Sequence, residues 1–273
     1  GWQGIYLIGG GFPLLLLFVM YFLLPESLEY LAQNNKSSSL RSIQKILNKI
    51  SPGIGEIKVK DLLQPNKTQQ QKAKLAILFQ NNLARTTIGV WGTYFFNWIA
   101  WFMLLSWLPT VLKQAGLAPE NAPYASVTVN AAFILFALPL AYWLPKVNTA
   151  KILTFMLITG LVIVAGLGLF IESNQWGYIF ALIALAGFGI GGQQLALNYL
   201  VVAAYPTQVR ATATGWAIGM GRMGAILGSA IGGIVLTQYG VSGYFYALGV
   251  PLLLALCCVF LIKYRIPKVQ VDA

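Results

Sequence analysis

Histidine is absent from this chain of 273 residues, and only two cysteines and seven acidic residues are present. Without histidine, and with Cys257 and Cys258 adjacent in an apolar run, the sequence has no metal-ligand spacing and no base to activate a nucleophile. No Walker or dinucleotide loop follows a strand pattern, and no acid falls inside an apolar run, so an enzyme is not expected, and no cofactor. Charge is scarce at 9% of residues, while 58% are hydrophobic and the mean hydropathy is +0.70. Such a composition describes a polytopic membrane protein built only of helices, an all-α chain.

The apolar runs divide the chain into seven expected transmembrane helices at about 4–24, 88–108, 122–144, 152–171, 178–203, 212–236 and 244–262. Each approaches the ~20 residues that a bilayer crossing needs. The first contains Gly9, Gly10, Gly11 and Pro13, which loosen a helix where neighbours approach, and the second ends at Pro109. Between them lies a polar connection, 28–85, that carries ten basic residues. Inside it Leu40, Ile43, Leu47 and Ile50 recur at helical spacing among lysines before Ser51-Pro52-Gly53, which suits a helix on the membrane surface. A second amphipathic piece covers 74–83. The chain begins at Gly1 with no charged leader or cleavage pattern, so a signal peptide is not expected.

The formal charge is +11, with a pI near 9.7, and its distribution along the chain explains it without nucleic acid. If the long connection is cytoplasmic, sixteen of the eighteen Lys and Arg lie on that side, Lys113 lies opposite, and Arg222 lies within a span. The positive-inside rule then puts the amino end of this chain outside and its carboxyl end in the cytoplasm.

Arg222 is the exception in an otherwise uncharged apolar helix. A charge at mid-membrane costs roughly 2.5–3.5 kcal/mol on insertion scales, so it normally faces a bundle interior or a wet cavity. At helical spacing Arg222 shares a face with Gly215, Gly219, Ala225, Ser229 and Gly233, opposite Trp216, Met220, Met223, Leu227, Ile231 and Ile234. The charge is therefore expected to point into protein. The spacings Gly215/Gly219, Gly224/Gly228 and Gly228/Gly232 suit close helix packing. The same reading applies to Gly187-Phe188-Gly189-Ile190-Gly191-Gly192, where packing is preferred over phosphate binding.

One long basic connection followed by six closely spaced spans suggests the second half of a two-bundle transporter, with its first five spans missing. The stretch G-F-G-I-G-G-Q-Q-L-A-L-N-Y-L-V-V-A-A-Y-P-T-Q-V-R-A-T-A-T-G-W-A-I-G-M-G-R-M-G-A-I-L-G-S-A-I-G-G, with L-P-E-S-L-E-Y-L and L-L-S-W-L-P-T-V-L, resembles the aromatic acid:proton symporters, a branch of the major facilitator superfamily. The resemblance implies a twelve-helix symporter that imports benzoate-like or hydroxybenzoate-like acids with protons across the inner (cytoplasmic) membrane by rocking of two halves. Residues 1–27 would be its sixth helix, 28–85 the connection between halves, 86–265 the second six-helix bundle and 266–273 a cytoplasmic tail. Its partners would be an aromatic carboxylate, the bilayer and the missing helices one to five. Two positions depart from the family pattern: the turn Y-W-L-P-K-V-N-T-A-K has Lys146 and Lys151 but no acid, and Glu29 stands where a basic residue is common.

Arg222 is the candidate substrate anchor, because a guanidinium stays charged when buried and offers a planar fork to a carboxylate. The alternative is an acid on the absent half, or backbone carbonyls. Arg210, after Pro206, is assigned to a gate or topology anchor, and Glu26 to a cytoplasmic gate or helix-end contact. Gly187, Gly191, Gln194 and Asn198 fall on one helical face, so Gln194 and Asn198 either line a cavity or bond between helices; Gln193 is a weaker candidate for the same roles. Tyr94, Asn97, Trp98 and Trp101 share another face, and Tyr94, Asn97 and Trp101 are candidates to meet a benzoate ring, with packing as the alternative. Asn130 is a weaker candidate. A carrier of another organic acid such as a dicarboxylate, or a transporter-like sensor, would share most of these features.

Overall fold

The structure is a computed structural model that describes residues 2–23, 75–80 and 83–262. Two compact units divide the chain, 1–71 and 72–273. Of the first unit, helix α1 (Trp2–Leu23) is described; it runs through Gly9–Gly11 and Pro13 without a break and is apolar and long enough to cross a membrane. The amphipathic segment around Leu40–Ile50, the residue Glu26 and the tail after Ile262 lie outside the described residues.

In the second unit every described element of secondary structure is a helix. A short 3-10 turn (Leu75–Phe79) precedes α2 (Ala84–Gln114), α3 (Ala122–Trp143) and α4 (Thr149–Phe170). Next come α5 (Trp176–Ala186), a π turn (Gly187–Gly191) and α6 (Gln193–Ala204), which together make one span, 176–204. The last helix, α7 (Thr207–Val259), is interrupted at Gly240, whose φ of 68° and ψ of −170° are not helical. An unbroken helix over the 51 apolar residues 209–259 would be about 77 Å long at 1.5 Å per residue, against ~30 Å of hydrocarbon. The break at Gly240 makes two crossings of it, and with α1 the described helices supply the seven expected spans. Glycine is required there, because this φ/ψ region is closed to residues with a β-carbon.

Two boundaries differ from expectation for definite reasons. α2 does not stop at Pro109 but carries it inside the helix to Gln114. One proline removes a single backbone donor, and a helix walled by neighbours tolerates that in a membrane. α4 begins at Thr149 rather than 152 because Asn148 caps it: its side chain accepts from the Ala150 amide at 3.0 Å.

Within this second unit the spans alternate in direction, and side chains tie their ends. At one end Ser242 donates to Glu172 at 2.8 Å. At the other, Tyr205 donates to Thr87 at 3.0 Å, and Thr87 donates to the Leu78 carbonyl at 2.6 Å, which fastens the 3-10 turn beneath α2. Tyr205 lies in the turn between α6 and α7, where burial pushes its phenol up while the Thr87 hydrogen bond pulls it down.

α2 forms the centre of the bundle and packs against both arms of α7. Against the first arm the contact is made by glycine: a β-carbon on Gly224 would stand 2.2 Å from the Phe95 carbonyl oxygen, and one on Gly228 2.4 Å from that of Ile99. Gly221 covers the Trp98 ring, while Gly232 and Gly233 cover Trp107. The second arm returns antiparallel, with Tyr244 donating to the Met103 carbonyl at 2.6 Å and Cys258 against Gly92. The Gly224/Gly228/Gly232 spacing is thus used for packing. Gly215/Gly219 packs on nothing among the described residues, since a β-carbon at either position would meet no atom of theirs within 4 Å.

Candidate functional site

The π turn determines where the polar side chains point. Its sequence, Gly187-Phe188-Gly189-Ile190-Gly191, lets three helices approach one point: a β-carbon on Gly187 would lie 2.5 Å from the Val129 carbonyl of α3, on Gly189 3.1 Å from the Gly160 nitrogen of α4, and on Gly191 2.7 Å from the Trp101 ring of α2. A π turn also inserts a residue relative to an α-helix, so everything after it is rotated.

The expected alignment of Gly187, Gly191, Gln194 and Asn198 on one face therefore fails. Gln193, not Gln194, enters the core: it is fully buried, accepts from the Asn97 amide and donates its own amide to the Gly189 carbonyl. Gln194 is half-buried beside it. Asn198 stays exposed but accepts from the Tyr94 hydroxyl at 3.0 Å. Tyr94 and Asn97 are both buried, and the Asn97 carbonyl oxygen has no hydrogen-bond partner among the described residues. Five groups thus converge between α2 and α6: Tyr94 with Asn198, and Asn97 with Gln193 and the opened backbone of the π turn.

Trp101 is half-buried, packed on Gly191 with its ring centroid 6.1 Å from that of Phe133. Asn130 faces away and donates to the Ser126 carbonyl of its own helix at 2.7 Å, which leaves it no part in this cluster.

Arg222 does not point into the interior of this bundle. It is exposed, at the edge of the face that α7 presents to α2, with its guanidinium carbon 5.0 Å from the centroid of the Trp98 ring. Gly215 and Gly219 lie open on the same side, whereas Ala225 is buried and Gly233 is spent on Trp107. The helical wheel opposes two faces, but α7 has a third, a buried strip of small residues at Ala213, Ala217, Gly221, Gly224, Gly228 and Gly232. Arg222 stands beside that strip rather than within it.

Arg210 lies at the start of α7, half-buried, with one guanidinium nitrogen 3.4 Å from the Tyr205 carbonyl and its Nε buried without a partner among the described residues. Sequence reasoning ranked two residues too low: Gln193, since nothing in the glycine run marks the extra residue of the π turn, and Trp98, which reads as one more aromatic until Arg222 is seen above it. Among the described residues no group of His, Cys, Asp or Glu is arranged to hold a metal.

Arranged this way, the bundle places a fixed cation and an amide-phenol cluster on and around a central helix, within apolar walls. The chain is 32% identical over 238 residues to the 4-hydroxybenzoate transporter PcaK of Pseudomonas aeruginosa, covering 86% of this chain and 52% of that protein. It is 33% identical to a gallate transporter of Pseudomonas putida, covering 92% of this chain and 55% of the relative. It is 30% identical to the benzoate transport protein of Acinetobacter baylyi, covering 97% and 56%. The chain spans about half the length of these curated relatives. Residues 90–272 match the Major Facilitator Superfamily, and the chain, a multi-pass membrane protein with no enzymatic role, belongs to that superfamily of transporters.

Proposed function

We propose that the intact protein is a proton symporter that imports aromatic monocarboxylates across the cytoplasmic membrane, and that this chain is its carboxyl-terminal portion. The observation that carries the reading is Arg222: a permanent cation held at mid-span on an open, glycine-flanked face, supported by an aromatic ring. An exposed charge at that depth needs an anion or water opposite it. A benzoate-like acid offers a carboxylate for the fork and a ring for the aromatic walls. The names of the relatives point to the same substrate class.

In this reading Arg222 binds the carboxylate, Gln194 and Asn198 line the cavity from α6, and Tyr94, Asn97 and Trp101 shape it from α2. Gln193 and Tyr94 hold the lining amides in place through Asn97 and Asn198. Arg210 is a gate contact, its unpartnered Nε awaiting an acceptor from the rest of the protein. Glu26 is proposed for the same gate. The two acids among the described residues, Glu120 and Glu172, are exposed and outside the span interiors. The proton-carrying carboxylate is therefore assigned to the portion that precedes this chain.

Full-length protein in proteoliposomes with an imposed inward proton gradient tests the proposal. Labelled 4-hydroxybenzoate should accumulate against its gradient, stop accumulating with a protonophore, and be displaced by benzoate or gallate but not by succinate. Saturable binding without accumulation would make the protein a sensor. Displacement by succinate alone would make it a dicarboxylate carrier.

A further inference from the structure

We propose that Trp98 is the second half of the anion site: its ring seats the Arg222 guanidinium, and its indole N–H is the donor that a bound carboxylate completes. The inference rests on the reading of Arg222 as substrate anchor.

Three observations carry it. The guanidinium carbon of Arg222 lies 5.0 Å from the Trp98 ring centroid, within the range in which a cation over an indole face is attracted. The ring is itself fixed, backed by Gly221 on α7 and stacked on Phe102 at 5.5 Å between centroids. Its Nε1 is buried and has no acceptor among the described residues. Trp107, further along the same helix, has its Nε1 satisfied by the Ser229 carbonyl at 2.8 Å. A buried donor left without an acceptor is unfavourable, so one is expected from outside the described residues. Arg222 draws an anion to this ring, and a carboxylate has a second oxygen to give.

A flexible arginine on an open face would lose orientation and hydration at each binding event. Set against a rigid ring, it presents its fork already aimed. Trp98 is thus a specificity residue as well as a support, since a neutral analogue neither reaches Arg222 nor needs the indole donor.

The test is a double-mutant cycle in the full-length transporter, read as KM and maximal rate for labelled 4-hydroxybenzoate. Trp98→Phe keeps a ring and deletes the donor; KM should rise about 10-fold, as for loss of one charge-assisted hydrogen bond, with maximal rate within about 2-fold. Trp98→Tyr, which regains a donor, should recover most of the affinity. The effects of Trp98→Phe and Arg222→Lys should be strongly non-additive, because both act on one carboxylate. Trp91→Phe removes another unpartnered indole N–H of α2, one whose ring lies on Trp216 and not beneath a charge, and should leave KM unchanged. Unchanged KM in Trp98→Phe, or losses in the two variants that simply multiply, would overturn the inference. Unchanged KM in Arg222→Lys would overturn the anchor instead. Should Trp98→Phe fail to reach the membrane, binding of labelled 4-hydroxybenzoate by purified Trp98→Leu, which also lacks the donor, with and without Arg222→Lys closes the same cycle.

Discussion

Gly224 and Phe95 meet backbone to backbone: a β-carbon on the glycine would stand 2.2 Å from the carbonyl oxygen of the phenylalanine. Four residues on, Gly228 and Ile99 repeat the relationship at 2.4 Å, so α2 and the first arm of α7 run parallel with no side chain between them over this length. In a membrane, where lipid competes for apolar surface as well as protein does, such closeness is what holds two helices together.

Gly224→Ala should therefore push the helices apart. Overpacking of a close contact costs about 1–3 kcal/mol, and here the clash is with rigid backbone. The melting temperature of full-length protein in detergent should fall sharply for Gly224→Ala and Gly228→Ala. Gly219→Ala, with nothing within 4 Å, should melt as the parent does.

Gln193 and Gln194 should respond in the opposite order from that suggested by the helical wheel. Gln193→Leu strands the Asn97 amide and removes a donor from the Gly189 carbonyl. Each stranded buried group costs about 1–3 kcal/mol. Gln194→Leu alters a half-buried side chain and should stay within about 0.5 kcal/mol. Thermal unfolding of the two variants side by side decides the order.

Arg222→Lys keeps the charge and loses the planar fork. Affinity for 4-hydroxybenzoate should fall about 10-fold or more, with the protein still assembled. Uptake kinetics equal to the parent would remove Arg222 from substrate binding.

Tyr205 ties the α6–α7 turn to Thr87 through its hydroxyl, and burial raises its pKa above the ordinary phenol value. The folded state then holds the proton more tightly than the unfolded state. Its contribution is fully present below about pH 10 and declines as pH rises through the raised value. Tyr205→Phe should melt somewhat lower at neutral pH and show a smaller loss of stability between neutral and strongly alkaline pH than the parent. Parallel curves for the two proteins would remove Tyr205 from the linkage.

The seven crossings were legible because hydrocarbon thickness imposes a length on every apolar run, and only the ends moved. Pro109 and Asn148 moved them, one by being tolerated inside a walled helix and the other by capping. The glycine strip at Gly224 and Gly228 was legible as a spacing. What could not be read was angle. On α7 a wheel of two faces groups Arg222 with Gly215 and Gly219, which do lie open together, but also with Ala225 and Gly233, which are turned to neighbours. The amides after Gly192 were placed by counting α-helical turns through a segment that is wound otherwise. A run of glycines and apolar residues contains no residue whose chemistry announces a wider turn, since the turn is set by three helices crowding one point.

That wider turn makes the amide cluster depend on a single residue's worth of slack. Deleting one residue from 187–191 would let the segment tighten into an ordinary α-helix and swing everything from Gln193 to Ala204 by about 100°. Asn198 would leave Tyr94, and Gln193 would leave Asn97, although no residue of the cluster had been altered. The spacing inside this span is therefore as much a determinant of its polar chemistry as the identity of the amides it carries.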